Sequence, residues 1–100
     1  MIILYVTHKN RKEAAKMVDH LMKRKLIACA NIFPIESVYF WKGKLVREKE
    51  IVTLLKTTPQ LHKKVESEIK KIHPYEVPCI IRLDAKANKE YEKWVGDSVR

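Results

Sequence analysis

Hydrophobic and polar positions along this chain alternate between strand-like and helix-like periods. IILYVT at 2–7 is rich in β-branched and large apolar residues and predicts a strand. From Asn10 the period changes. Ala14, Val18, Leu21 and Met22 recur at helical spacing to about Lys25, and Asn10 with Glu13 has the spacing of a capping box. A second strand is expected in IACANIF, closed by Pro34. Two further strand-like runs meet at Lys42-Gly43-Lys44, which reads as a tight hairpin turn. Thr58 is a natural N-cap with Pro59 at the first helical position, and Leu61, Val65, Ile69 and Ile72 then form an apolar stripe. Pro74 ends that helix, because an interior proline loses a hydrogen bond and clashes with the preceding turn. CIIRLD is the last strand, and Asn88 opens a short helix carrying Tyr91, Trp94 and Val95.

The order strand, helix, strand, strand, helix, strand, with an extra helix, predicts an α+β, ferredoxin-like βαββαβ domain over residues 1–100. Both main helices then cover one face of an antiparallel sheet. In the hairpin, Val38 and Phe40 point to one face while Tyr39 and Trp41 point to the other, and Ile51, Leu55 and Val52, Leu54 likewise load both faces. Two helices cover only one of them. Fully burying side chains of this size stabilises by roughly 1.5–3 kcal/mol each, so the second face calls for a partner, and the pattern implies an oligomer.

Charge changes this picture little. The net charge of +9 comes from scattered lysines, most with acidic neighbours, and no long single-sign block occurs. A solvated Lys/Glu surface explains it, and nucleic acid is not an expected partner. The longest uncharged run, LIACANIFPI, is too short to span a bilayer, so no membrane is expected. The first residues, MIILYVTHKN, lack the basic and apolar regions of a signal peptide, which gives a cytoplasmic expectation with reduced cysteines. Cys29 and Cys79 match no zinc spacing. Nor is there a G-x-S-x-G elbow, a glycine-rich phosphate loop or an H-E-x-x-H, and the chain is not expected to be an enzyme.

The blocks LIACANI (26–32), YFWKGKL (39–45), EIVTLLKTT (50–58), HPYEVPCII (73–81) and YEKWV (91–95) resemble the CutA-type divalent-ion tolerance family, in that family's order and over nearly the whole chain. The resemblance implies a small cytosolic homotrimer of PII-like architecture, with no enzymatic activity and no obligatory cofactor. It implies divalent-metal tolerance and copper binding, with a site at the subunit boundary near His73, Glu50 and Tyr75. Two positions depart from the family's pattern. Where some members have a cysteine near the end of the first strand this chain reads Tyr5-Val6-Thr7, and Cys79 stands where a glutamate is common.

Each candidate has two readings. His73 can offer an imidazole nitrogen to a metal, or serve the helix end before Pro74. Glu50, next to Ile51 and Val52, can face a cleft as a metal ligand or pair with a Lys or Arg across the interface. Tyr75 can donate to a ligand or bond a carbonyl. Lys56 can bind an anion in a PII-like alternative, where the cleft takes a small anionic metabolite, or lay its stem along apolar surface. Trp41 belongs to the cleft or the interface. Cys79, like Cys29, reads as a small hydrophobe, or as a soft ligand if exposed. His8 follows the first strand and can approach the cleft.

Overall fold

Each predicted element forms. The computed structural model describes residues 1–100: β1 (Ile2–His8), α1 (Arg11–Lys23), β2 (Cys29–Trp41), β3 (Lys44–Thr57), a 3-10 turn (Pro59–Leu61) running into α2 (His62–Ile72), β4 (Ile80–Asp84) and α3 (Lys89–Ser98). The strands make one antiparallel sheet in the order β2-β3-β1-β4. This is the ferredoxin-like arrangement, with α3 added after β4.

Local chemistry sets the element ends. The Asn10 side chain accepts the Glu13 backbone N–H at 2.9 Å and satisfies one orphan donor of α1. Asn10→Ala is therefore expected to cost about 1 kcal/mol, measurable as a lower urea midpoint at unchanged slope. Lys42 and Gly43 both have positive φ, 49° and 79°, and close a two-residue turn that brings Trp41 opposite Lys44. At the end of α2, His73 is extended (φ −75°, ψ 129°), as expected of a residue preceding proline.

Three expectations are corrected. Pro34 does not close β2, which continues through it to Trp41. The strand lies on the sheet edge, where a missing N–H need not interrupt a ladder on both sides. Thr58 precedes a 3-10 turn and makes no side-chain cap bond. On α1 the buried stripe is Ala14, Met17 and Leu21, while Met22 is exposed. Met17 lies three residues after Ala14 and four before Leu21, so it shares their face.

The core lies between the two helices and one sheet face. Ile2, Leu4, Val6 and Leu55 meet Met17, Leu21, Val65 and Ile69, with Leu26 and Ile27 closing one end. Thr57 Oγ1 donates to the Leu26 carbonyl at 2.7 Å and ties that end down. The opposite sheet face is loaded as the pattern predicts, and Phe33, Tyr39, Trp41, Ile81 and Leu83 remain exposed there. Pairing between β1 and β3 stops at His8–Ile51. Beyond it Ile35–Trp41 and Lys44–Glu50 pair only with each other. This two-stranded arm runs for roughly 24 Å at strand rise and accounts for the elongated shape, 46 × 25 × 21 Å.

Candidate functional site

Where the arm leaves the sheet, the face away from the helices carries a cleft of about 520 Å³. One wall is the arm, with Tyr39 and Trp41 from β2 and Glu48 and Glu50 from β3. Period-two alternation brings these four onto one face. Thr7 and Lys9 supply the floor at the end of β1, and the α2–β4 connection adds Tyr75, Glu76 and Val77. In a chain of net charge +9 this cleft is lined by three carboxylates and one lysine. Its local field favours a cation, against the sign of the molecule as a whole.

The stretch HPYEVPC builds the wall facing the arm. Pro74 stops α2, His73 turns the chain, and Tyr75 reaches across to donate its phenol to Glu50 Oε2 at 2.5 Å. Burial, then the bond to Glu50, pushes the Tyr75 phenol well above its ordinary range, so it stays protonated and remains a donor. Glu50 itself is only 6% exposed, and its other oxygen takes no bond from the chain. Beside it the Tyr39 phenol donates to Glu48, and that bond raises the phenol to about 12. The two arm carboxylates that line the cleft, Glu48 and Glu50, are thus each oriented by one phenol.

His73 is deep and fully engaged. Its Nε2–H donates to the Thr7 carbonyl at 2.7 Å, and its Nδ1 accepts the Tyr75 backbone N–H at 3.2 Å. The ring lies edge-on to Tyr75 at 4.7 Å and stacks on His8 at 5.5 Å. Both nitrogens are committed, so the imidazole has no free lone pair for a metal. It holds the corner that carries Tyr75.

The remaining candidates scatter. Trp41 lines the cleft. Lys56 does not; its Nζ lies 5.3 Å from the Tyr91 ring centroid, beside α3 at the other end of β3. His8 is buried with Nε2 at 2.8 Å from Thr53 Oγ1, turned to the helix side of the sheet rather than into the cleft. Within the chain, Glu50 pairs with the Tyr75 phenol. Cys29 and Cys79 are free and only half-buried. Burial, then the nearby Glu50 charge, raises the Cys79 thiol, which keeps it protonated and a poor soft ligand at neutral pH. Of the cleft residues, sequence reasoning missed the charged Glu48, Glu76 and Lys9 and the Tyr39 phenol, besides Thr7 and Val77. Glu48 shares its strand face with Glu50 two residues away, and that spacing was the one available signal.

No three His, Cys, Asp or Glu side chains converge in one chain to hold a metal ion. Glu50 fits a cation through its free oxygen. His73 fits only by giving up a bond, and carboxylates without imidazole or thiolate suit harder cations than copper.

Comparison with known proteins gives the family and the fold. Residues 2–98 match the family model described as CutA1 divalent ion tolerance protein. The divalent-cation tolerance protein CutA of Pyrococcus horikoshii is 43% identical over 101 residues, covering 100% of this chain and 99% of the relative. The crystal structure of CutA1 from that organism superposes with a TM-score of 0.96 at 40% identity, over 100% of this chain and 99% of the other. A PII-like CutA from Nostoc, at 24% identity and a TM-score of 0.93 over 100% of this chain and 98% of the other, shows the shared fold. The cytoplasmic expectation is corrected. The Archaeoglobus fulgidus structure, 33% identical with a TM-score of 0.96 and full coverage of both chains, is described as a periplasmic divalent cation tolerance protein. A first stretch without signal-peptide character therefore does not fix the compartment.

Proposed function

This chain belongs to the CutA1 divalent ion tolerance family, and from that premise we propose that it is a non-catalytic homotrimer whose cleft binds divalent cations at a subunit boundary. One observation carries the reading. The cleft gathers Glu48, Glu50 and Glu76 around a single lysine in a strongly basic chain. Glu50 is the central ligand, presented by Tyr75, and Glu48 and Glu76 add charge at the mouth. His73 positions Tyr75, and becomes a copper ligand only if its bond to Tyr75 N–H or to Thr7 opens. Donors from a neighbouring subunit complete a set that one chain leaves short of three.

The exposed face supports the trimer. Phe33, Ile81 and Leu83 lie there in water in the single chain, and the outer edges of β2 and β4 are unpaired. The arm extends past its own sheet, where a second subunit can receive it. A PII-like anion site using Lys56 is disfavoured, because Lys56 is away from the cleft and the cleft is acidic.

Calorimetric titration with Cu(II), Zn(II) and Mn(II), with the mass checked by light scattering, tests both parts. The expected mass is that of three 11.8-kDa chains. Saturable binding is expected, weakened at least tenfold in Glu50→Gln, which keeps the Tyr75 contact while removing the charge. Heats equal in wild type and Glu50→Gln would sink the assignment.

A further inference from the structure

The cleft is far larger than a metal ion needs, and it presents aromatic ring faces that a metal does not use. In the single chain it measures about 520 Å³, in the range of small-molecule sites, roughly 300–1,000 Å³. Three aromatic rings, Tyr39, Trp41 and Tyr75, line it together with the carboxylates. Carboxylates coordinate metals, but aromatic rings do not. Rings and carboxylates together recognise alkylammonium groups, the rings through their negative faces and the carboxylates through charge-assisted hydrogen bonds.

Resting on the reading of this cleft as a cation site, we propose that it accommodates an organic cation, a protonated di- or polyamine. Glu50 is the anchor. It is nine-tenths buried, one oxygen is fixed by Tyr75, and the other meets no donor of the chain. That second oxygen opens onto the cleft, where it can accept from an N–H donor of a ligand. Glu48 lies two residues along the same strand face, roughly 7 Å away at strand rise, so the two carboxylates match a chain bearing more than one ammonium. The Trp41 ring face is within cation–π range of a cation, the neighbouring Lys42 Nζ, at 5.9 Å from its centroid. With a net charge of +9, general attraction of a polyamine to the surface is opposed, so binding must come from this local site.

The test is calorimetric titration of the full-length protein with spermidine, putrescine and tetramethylammonium, metal-free and in phosphate buffer. Saturable spermidine binding is expected, at least tenfold weaker in Glu50→Gln and in Trp41→Ala. Lys9→Gln is expected to strengthen it several-fold, because Lys9 is the one cation lining the cleft. It is exposed, so its removal leaves folding intact. Spermidine that produces no saturable heat, or binds equally to wild type, Glu50→Gln and Lys9→Gln, overturns the proposal. If divalent metal binding is lost in Glu50→Gln while no amine binds, the cation reading stands and the amine falls. If neither binds, both fall.

Discussion

His73→Ala is expected to lower the unfolding free energy by about 3–5 kcal/mol, the range for truncating a large buried side chain. The ring is 9% exposed and wedged between His8 and Tyr75. Its loss opens a cavity and leaves the Thr7 carbonyl and the Tyr75 N–H without their partners, each an added penalty of about 1–3 kcal/mol unless water enters. Urea unfolding at pH 7.5 measures it. The same change frees the connection that carries Tyr75, so Glu50 loses its orienting phenol. Lost metal binding in this variant would therefore not identify His73 as a ligand. Tyr75→Phe separates the two roles, because it keeps the ring packing and removes only the bond to Glu50. A cost below about 1 kcal/mol for His73→Ala would mean the corner is held by its prolines alone.

The second large effect is with acid. Burial, then the neighbouring His73, lowers His8 from 6.5 to about 4, while the charge of Glu50 works in the opposite direction. In the unfolded chain His8 returns to its ordinary value, so between those pH values the unfolded state binds the extra proton. The stabilisation is whole above about pH 6.5 and is lost as pH falls toward 4. At about 1.4 kcal/mol per unit, His8 alone contributes a fall of about 3 kcal/mol over that window. Urea midpoints measured at intervals from pH 7 to 4 should decline accordingly. His8→Gln, which stays neutral and retains a polar group for Thr53, should flatten the decline. An unchanged slope in that variant would contradict the assignment to His8.

The fold was legible because its signals are local. A period of two over 2–7, a stripe at 61, 65, 69 and 72, a glycine in a two-residue turn and a proline after an apolar stripe each constrain their own neighbourhood. Pro34 misled because its tolerance depends on β2 being an edge strand, which is a property of sheet order. The site was half legible. Glu50, Tyr75 and Trp41 line one cleft, but the bond from Tyr75 to Glu50 spans 25 residues. Glu48 and Glu76 looked like ordinary surface acids until the arm and the α2–β4 connection faced each other. Lys56 and Glu50 lie on the same strand face, yet six residues of strand carry Lys56 roughly 20 Å from Glu50, too far to share the cleft. His8 pointed the other way because it continues the alternation of Leu4 and Val6 toward the helices.

The central claim is that a cation enters at the arm cleft and meets Glu50. Paramagnetic line broadening locates it directly, by adding substoichiometric Mn(II) to isotope-labelled protein and following the backbone amide signals. The claim predicts that Glu48, Glu50, Tyr75 and Val77 broaden first and together, and that Glu50→Gln removes the effect. Broadening concentrated instead around Glu68 and His20 on the helical face, with the arm unaffected, would contradict it.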